Sequence, residues 1–513
     1  MLTVVRATKE LNSPADHGTY SEELLAAALE EIGRRRTAPQ ATYRVQLHAG
    51  FRFLDAQTIV PYLAGLGISD CSASPYLKAA PGSTHGYDIT DHGMLNPEVG
   101  TADEHSSWLT ALRDHGLGLL LDVVPNHMGI LGNENPWWND VLENGQASPY
   151  AWYFDIDWAA PTRPENRGRV LLPFLGDLFG EILEQGELRL GRDGGAFHVQ
   201  YHEHRFPLDP KSYRTMLEQA LQPISDALGA KHEATLEYQS VLTAIRNLPE
   251  HTESSPQRVV ERHREKEVIK RRIGALVADQ PVIADAIAAA LSSLNGKPGK
   301  PRSFDALDLL LASQPYRLAY WRVAADEINY RRFFDVNALA ALRSDREEVF
   351  RATHALVFDI VARQGATGLR IDHPDGLLDP QTYLDRLQKA YVLAIARRLH
   401  EEGFAARTVG WDEIEPVLRD KLARQTHDER EQDSPSLYVV VEKILGYDEI
   451  FPGDWRTHGT SGYEALNRIN GLFVDPASAA EFTRRYHGWI GDQTPYRDVV
   501  RQKNLVEDVA ESQ

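Results

Sequence analysis

The sequence predicts an α/β fold that repeats a strand-helix unit with parallel strands and contains a large inserted region. The segment GLGLLLDVV at 116–124 is a continuous apolar run, typical of a strand buried on both faces of a parallel sheet. Apolar residues recur at helical spacing in the stretches between such runs. This alternation stops near residue 130 and returns with EEVFRATHALVFDIVARQ, so the residues between form an insertion.

The first strand is predicted from Ala41, where ATYRVQLHAG alternates its side chains with a period of two. Helices are predicted in AQTIVPYLAGLG and ADEHSSWLTALRDHG, on either side of a second strand. After the insertion, GATGLRID and LYVVVE are strands separated by a long helix. Predicted strands near residues 43, 69, 119, 368, 439 and 458 give about six in all.

The predicted domains are 1–130 and 311–513, which form one catalytic unit, and two inserted subdomains between them. Residues 131–210 are rich in aromatic residues, Gly and Pro, whereas 211–310 are mostly helical. The charged run RVVERHREKEVIKRRIGALV is read as the solvated face of a helix.

Composition and charge exclude several classes of function. The chain has 513 residues and a formal net charge of −19, which disfavours nucleic acid and anionic membrane surfaces as partners. A neutral ligand is therefore expected. The single cysteine, Cys71, and an amino terminus without an apolar signal segment predict a soluble protein of the reducing cytoplasm. The oligomeric state stays open.

Polar residues follow the predicted strands at the points where each strand ends. Asp122, Asn126 and His127 follow one strand, Arg370 and Asp372 end another, and Glu442 and Lys443 end a third. Taken singly, His127 could be a buried structural histidine and Asp372 a turn-former. Together, two carboxylates at neighbouring strand ends beside an arginine are the groups that retaining glycoside chemistry requires.

The two carboxylates are assigned different roles. Arg370 is expected to favour the ionised form of Asp372, which makes Asp372 the nucleophile. Glu442 is then the acid/base, whose proton is retained by partial burial and by the charge of Asp372. Lys443, the next residue, is expected on the opposite face of the strand.

The motifs DVVPNH, GLRIDHPDG and VVVEK resemble three regions shared by the α-amylase superfamily. The resemblance implies a (β/α)8 TIM barrel, with Asp372 as nucleophile, Glu442 as acid/base, Arg370 as orienting partner and His127 as a donor to the sugar. It also implies that HGYDITDH places Tyr87 against that sugar. The other residues expected to contact substrate are His85, Asp88, Asp122, Asn126, His373 and Lys443.

Longer stretches, including SPYLKAAPGSTHGYDITDH and INYRRFFDVNALAALR, are similar to maltooligosyltrehalose synthases over about residues 40–480. That family converts the reducing-end α-1,4 bond of a maltooligosaccharide into an α,α-1,1 bond without releasing the glucose. A set of aromatic residues is expected either to stack on that glucose or to form subdomain core: Trp137, Trp138, Trp152, Tyr153 and Trp158. Of these, Trp137 and Trp138 are predicted to bind substrate.

The sequence also departs from the superfamily pattern. No His-Asp pair, the expected third carboxylate, follows Glu442, and His427-Asp428 precedes that strand in a polar run. The barrel is therefore expected to be incomplete. Asn126 matches a calcium-binding position of many amylases, but no second set of oxygen ligands is evident, so no metal or other cofactor is predicted. The alternatives are an α-1,4-glucan hydrolase or other transglucosylase, and a truncated, non-catalytic glucan-binding protein.

Overall fold

The computed structural model describes residues 9–10, 14–35, 38–160, 163–424, 435–446 and 448–511. The chain forms two compact units. The first comprises Met1–Lys443 and Phe451–Ser461, and the second comprises Ile444–Ile450 and Gly462–Gln513.

The first unit is built on a sheet of five parallel strands. In chain order, the strands β1 to β5 are Thr42–Val45, Asp70–Ala73, Gly118–Val123, Gly368–Ile371 and Tyr438–Val441. Each strand pairs with the next in this order. Such an order, with helices as the connections, is that of a TIM-barrel-like α/β fold.

A sixth strand was expected near residue 458, and the structure shows a shorter pairing there. Residues 458–461 run beside β5 with a single parallel bridge between Val441 and Thr460. The backbone N–H of His458 donates to Val439 at 2.7 Å, and that of Ser461 donates to Val441 at 2.9 Å. Among the described residues, β1 has a strand partner only on the side of β2.

Helices lie outside this sheet and bury their apolar faces against it. Ala102–Asp114 begins with a reciprocal cap, in which Thr101 accepts from the backbone of Glu104 and the Glu104 carboxylate accepts from the backbone of Thr101. The core between sheet and helices includes Leu119, Leu121 and Leu369. The other helices of this layer are Pro14–Arg35, Phe53–Thr58, Val60–Leu66, Glu347–Asp359, Pro380–Glu401 and Trp411–Ala423.

Three short strand pairs accompany the sheet in the described residues. Leu77–Ala79 pairs antiparallel with Ile89–Leu95, and His127–Gly129 pairs antiparallel with Leu339–Ala341. Lys9–Glu10 pairs in parallel with Arg407–Thr408.

The inserted region has its own apolar core, separate from that of the sheet. Its strands are Val170–Leu175, parallel to Tyr316–Tyr320, and an antiparallel set of Leu188–Asp193, Ala196–Tyr201 and His204–Pro207. Its helices are Pro136–Asn144, Phe179–Glu184, Tyr213–Leu228, Glu233–Asn247, Pro256–Asp279, Pro281–Leu294, Asp305–Ala312 and Ala324–Glu327. The domain boundaries stated above stay a prediction.

The charged helix of the insertion is not simply solvated, which corrects the expectation from its sequence. Arg262 is fully buried and its guanidinium lies 2.6 Å from Asp209. Lys266 is also buried and lies 2.6 Å from Asp140 and 2.7 Å from Glu143. Two of its charges therefore anchor the helix, since a buried charge requires such partners.

The second unit contains the helices Tyr463–Gly471, Ala479–Ile490 and Tyr496–Glu511. Large apolar side chains are exposed on it, including Phe473 at 95% and Trp489 at 85%. Across the described part of the chain, no single helix is long and apolar enough to cross a bilayer. Among these residues, only the helices Pro256–Asp279 and Pro281–Leu294 taken together have the necessary length and composition, and they are bent sharply against each other.

Candidate functional site

The predicted chemical residues meet at the carboxyl ends of β3, β4 and β5. Arg370 is directly opposite Asp122 in the register of the sheet, so both side chains lie on the same face. Asp372 follows Ile371, the last residue of β4, and its backbone N–H donates to Val123 at 2.9 Å. The backbone N–H of Glu442 donates to Ile371 at 2.8 Å, which places this side chain at the end of β5.

One guanidinium lies among three carboxylates at this site. Nη1 of Arg370 donates to Asp122 at 2.6 Å and to Asp372 at 3.1 Å. Its Nη2 lies 3.8 Å from Oε2 of Glu442. Arg370 therefore lies close to both carboxylates that the sequence singled out, Asp372 and Glu442.

The ionisation of Asp372 differs from the expectation. Burial, followed by the charge of Asp122 and that of Glu442, raises the pKa of its carboxyl to about 7 against the opposing effect of Arg370. Arg370 lowers the pKa of Asp372, which is the direction predicted, but burial and the charge of Asp122 outweigh this effect. Asp122 lies closer to the guanidinium than Asp372 does and adds a like charge to the effect of burial.

A second arginine, which the sequence analysis missed, holds the other side of Asp122. Nη1 of Arg44 donates to Oδ2 of Asp122 at 2.9 Å, and its Nη2 donates to the Tyr87 hydroxyl at 2.8 Å. Tyr87 also donates to Asp122 at 2.9 Å. Burial, followed by the charge of Asp122, raises the pKa of Tyr87, so the phenol stays neutral. The period-two alternation of β1 could have identified Arg44, because it places that residue on the inner face.

Tyr87 is presented by a tight turn that requires glycine. Gly86 has a φ of +79°, and a Cβ at that position would lie 2.2 Å from the carbonyl oxygen of Pro75. The ring of His85 stacks on that of Tyr87 with centroids 6.1 Å apart, and Asp88 accepts from Ser83 at 2.5 Å. The structure therefore places His85 and Asp88 beside Tyr87, as neighbours in one loop.

Two histidines and two phenylalanines form an aromatic wall at the site. Phe333 lies 4.5 Å from the ring of His127 and 5.0 Å from that of His373, and Phe334 lies 5.3 Å from His373. Phe334 is 71% exposed and has a φ of +48°. Both phenylalanines belong to the stretch INYRRFFDVNALAALR, whose sequence alone predicted no role for them.

Burial keeps both histidines neutral near pH 7. It lowers the pKa of His127 to about 3, and it lowers the pKa of His373 as well. Nε2 of His127 is buried without a hydrogen-bond partner among the described residues. A neutral imidazole in this position can donate a hydrogen bond to a sugar hydroxyl or accept one from it.

The loops after β4 and β5 are tied together. The backbone N–H of His373, whose φ is +45°, donates to Oε2 of Glu442 at 3.1 Å. The ammonium of Lys443 donates to both carboxylate oxygens of Asp375, at 3.0 and 3.1 Å. Lys443 was predicted to contact substrate, and the structure shows it 7% exposed and engaged with this neighbouring loop.

The prediction for one of the tryptophans is corrected. Trp138 is 1% exposed and packs edge-on against Phe154 and Tyr330 in the core of the insertion, so it has no free face for a sugar. Trp137 is half-buried and stacks on Tyr150 at 5.8 Å. His427-Asp428, considered above for the third carboxylate, lies outside the described residues.

Among the described residues, no group of three or more His, Cys, Asp or Glu side chains could hold a metal ion. The oxygen of Asn126, the residue that matches a calcium position, accepts a hydrogen bond from Arg331 at 2.9 Å.

Several known proteins are similar to this chain in sequence. Residues 57–181 match the family model described as the α-amylase catalytic domain. A putative maltooligosyl trehalose synthase of Mycobacterium tuberculosis is 28% identical over 457 residues, which are 86% of this chain and 40% of that protein. An intracellular maltogenic amylase of Bacillus subtilis is 32% identical over 118 residues, which are 22% of this chain and 19% of that protein.

Solved structures are similar over most of the chain. The maltooligosyltrehalose synthase of Arthrobacter ramosus is 29% identical, with a TM-score of 0.55 over 90% of this chain and 42% of that one. A glycosyltrehalose synthase is 26% identical, with a TM-score of 0.58 over 91% of this chain and 46% of that one. The chain thus spans less than half the length of these relatives. Over most of its own length the chain is similar to maltooligosyltrehalose synthases, and residues 57–181 match the α-amylase catalytic domain.

Proposed function

We propose that this chain supplies the nucleophile and the acid/base of a site that converts the reducing-end α-1,4 bond of a maltooligosaccharide into an α,α-1,1 bond. One observation carries the proposal: Asp372 and Glu442 end neighbouring strands and lie within 3.1 and 3.8 Å of the same guanidinium, that of Arg370. Two carboxyl groups placed together in this way are the requirement of a retaining mechanism.

In the first step, a carboxylate oxygen of Asp372 attacks the anomeric carbon, and Glu442 donates its proton to the departing glycosidic oxygen. This breaks the α-1,4 bond and leaves a covalent glycosyl ester on Asp372 with a free glucose beside it. The glucose then turns, and its anomeric hydroxyl attacks the anomeric carbon of the glycosyl ester, which breaks the bond from that carbon to the Asp372 oxygen while the Glu442 carboxylate takes the proton. The products are the α,α-1,1 bond and the two carboxyl groups in their starting states.

Burial and the charge of Asp122 raise the pKa of Asp372 to about 7, which favours the neutral form of the nucleophile. Attack requires the ionised form. A substrate hydroxyl that donates to Asp122 or Asp372 would stabilise that form, because hydrogen bonds to a carboxylate lower its pKa.

The aromatic wall of Phe333, Phe334, His127 and His373 supports rearrangement over hydrolysis. A sugar ring stacked on such a wall is held near the ester while water is kept from it. Similarity to the synthases over most of the chain supports the same choice. The match to the α-amylase catalytic domain and to a maltogenic amylase supports the alternative, an α-1,4-glucan hydrolase.

We also propose that the five-stranded sheet is part of an open barrel, which further strands would close. The exposure of Tyr43 on β1, at 41%, supports this proposal, as does the pairing of β1 on one side only within the described residues. A barrel removes its edges only by closing. The third carboxylate of the reaction would then come from the strands that complete it.

Product analysis tests the proposed function. Maltopentaose is incubated with the chain alone and with the chain fused to the remaining carboxyl-terminal part of the Mycobacterium tuberculosis relative, and products are separated by chromatography. We expect a non-reducing trehalose-ended product from the fusion. Free glucose and shorter maltooligosaccharides as the sole products would overturn the synthase assignment in favour of hydrolysis.

Two substitutions connect that activity to the site. Asp372→Asn and Glu442→Gln should each lower turnover by several orders of magnitude, because removing one member of an acid and nucleophile pair stops the step that it performs. Asp285→Asn, an exposed position in the helix Pro281–Leu294, is the matched control and should retain full activity. A variant of either carboxylate that kept more than about a tenth of the activity would remove that residue from the mechanism.

A further inference from the structure

A cavity of about 290 Å³ lies in the insertion, and none of its lining residues belongs to the proposed catalytic site. The strand Tyr316–Tyr320 and the helix Asp305–Ala312 contribute to its lining. Its apolar walls come from five residues: Leu178, Phe179, Leu311, Leu318 and Val323. Sites for small ligands begin at about 300 Å³, so the cavity has room for one small ring rather than for a longer chain.

One arginine that lines the cavity has no compensating charge. The side chain of Arg169 is half-buried, and among the described residues it has neither an ion-pair nor a hydrogen-bond partner. Burial, followed by the like charge of Arg317, lowers the pKa of Arg169. Arg317 itself is satisfied, since its Nη1 donates to Glu327 at 2.9 Å and to Asn166 at 3.2 Å. The guanidinium of Arg169 is therefore left to donate to a ligand.

The cavity is also lined by a phenol that lacks a hydrogen-bond partner. Tyr316 is 1% exposed, and its hydroxyl is buried without a partner among the described residues. Buried hydroxyl groups nearly always have such a partner, because burying an unpaired one costs free energy. An unpaired phenol beside an apolar cavity favours a ligand that carries hydroxyl groups of its own.

The charges around the cavity disfavour ionic ligands. Glu165 and Asp308 line it together with Arg169 and Arg317. An anion would be repelled by the two carboxylates, and a cation would be repelled by the two guanidinium groups. A neutral ligand with several hydroxyl groups is compatible with both, because a hydroxyl donates to a carboxylate and accepts from a guanidinium. The lining therefore suits a neutral sugar, whose C–H groups can pack on the apolar walls.

An exposed aromatic pair continues from the cavity. Tyr320 lines the cavity, and the ring of Trp321, which is 52% exposed, lies 5.9 Å from the ring of Tyr320. The guanidinium of Arg322 lies over both rings, at 5.8 and 5.4 Å from their centroids. This cation–π contact holds the two rings together at the edge of the cavity.

We propose that this cavity is a sugar site separate from the proposed catalytic site, and that it takes the terminal glucosyl unit of a maltooligosaccharide. The hydroxyl groups of that unit bond to Arg169, Glu165 and Tyr316, and the next unit of the glucan lies against Trp321. Only the choice of glucose among neutral sugars rests on the proposed function.

Amide hydrogen exchange, followed by mass spectrometry, tests the site on the chain as it is. Maltotriose should slow exchange in residues 165–179 and 308–323, which carry the lining. Residues 331–334 and 373–376 report on the proposed catalytic site in the same experiment, so failure of one proposal is distinguishable from failure of the other. Unchanged exchange in the two lining segments would overturn the sugar site, whatever the other two show. Inorganic phosphate should have no effect there, and protection by phosphate instead of maltotriose would mean an anion site.

Three variants connect that protection to the lining. Arg169→Met should raise the maltotriose concentration needed for half-protection of residues 165–179 by at least about tenfold, because it removes a charged hydrogen-bond donor. Arg169→Gln applies the same test if the methionine variant does not fold. Arg271→Met, which removes an exposed arginine from the helix Pro256–Asp279, is the control and should bind as the wild type does. Wild-type affinity in the folded Arg169 variants would overturn the proposal.

Tyr316→Phe separates binding from stability. Its hydroxyl has no partner to lose among the described residues, so the substitution should not lower the Tm of the chain. It should nevertheless weaken maltotriose binding at the lining segments, because the phenol then has no hydroxyl for the sugar. A fall in Tm with unchanged protection by maltotriose would mean that the hydroxyl serves the fold, and would overturn its place in the site.

Discussion

The guanidinium of Arg370 lies 2.6 Å from Asp122, closer than the 3.1 Å that separates it from Asp372. Asp122 has no exposed side-chain surface and is also held by Arg44 at 2.9 Å. The positive charges of Arg370 and Arg44 thus compensate mainly Asp122, and the negative charge of Asp122 disfavours ionisation of Asp372. Burial and this charge together explain why the pKa of Asp372 is raised to about 7.

The raised pKa predicts that Asp372→Asn stabilises the fold at high pH. The pKa of this carboxyl rises from 3.8 to about 7 on folding, so the folded state binds more protons between these values. Stability contributed by the neutral form is therefore lost as pH increases through that window. Asparagine avoids the loss, and the variant should exceed the wild type by about 1–3 kcal/mol at pH 8 and by little at pH 4.

Thermal or urea unfolding of both proteins at pH 4, 6 and 8 measures this difference. Asp285→Asn is the control, because Asp285 is exposed in the middle of a helix and should show no such dependence. An Asp372→Asn variant whose advantage did not grow between pH 4 and pH 8 would contradict the raised pKa.

Asp122→Asn should lower the pKa of Asp372. The substitution removes a like charge, and it leaves Arg370 to compensate Asp372 more fully. In the Asp122→Asn background, the stability gained at pH 8 from Asp372→Asn should therefore shrink. A double-mutant cycle from unfolding free energies at pH 8 measures this coupling, and strict additivity of the two substitutions would count against it.

The sequence predicted that Asp372, Arg370 and Glu442 lie close together, because Asp372 and Glu442 directly follow short apolar strands and Arg370 lies two residues before Asp372. In a parallel sheet the carboxyl ends of strands share one edge, so position in the run is enough to bring them together. The pKa of Asp372 could not be predicted in the same way. It depends on the distance from Arg370 to Asp122, which follows from the register of β3 against β4.

Features of the insertion were also beyond the reach of sequence periodicity. The spacing of charges in Pro256–Asp279 predicts a helix but not which charges are buried, and the partner of Arg262, Asp209, lies 53 residues away. The backbone of Phe334 has a positive φ, and this conformation places its ring beside the site. The local sequence pattern, which is rich in polar residues, does not predict that conformation. The burial of Trp138 likewise depends on how the insertion packs on itself.

Phe334 should contribute to glucan binding at a cost to stability. Its φ of +48° is strained for a residue with a Cβ, and its ring is 71% exposed beside His373. Phe334→Gly should stabilise the fold or leave it unchanged, because glycine accepts this conformation, while it weakens binding of maltooligosaccharide. Phe334→Ala, which keeps the strain and loses the ring, should weaken binding without that gain.

Calorimetric titration with maltopentaose and thermal unfolding of the same variants separate these two effects. A structural role for Phe334 would lower the stability of both variants and reduce binding in parallel. The result that contradicts the prediction is glucan affinity unchanged by loss of the ring.

The open edge of the sheet should make the isolated chain self-associate. Among the described residues, β1 pairs with β2 alone, and Tyr43 on it is 41% exposed. An exposed edge strand offers unpaired backbone groups to another molecule, and a lysine on such a strand opposes that pairing. Sedimentation velocity at several concentrations should show oligomers for the wild type and fewer for Tyr43→Lys. Tyr62→Lys, the same change at a 64% exposed position on the helix Val60–Leu66, should leave association unaltered. A monodisperse monomer of the unsubstituted chain would mean that this edge is already protected and that the sheet needs no further strands.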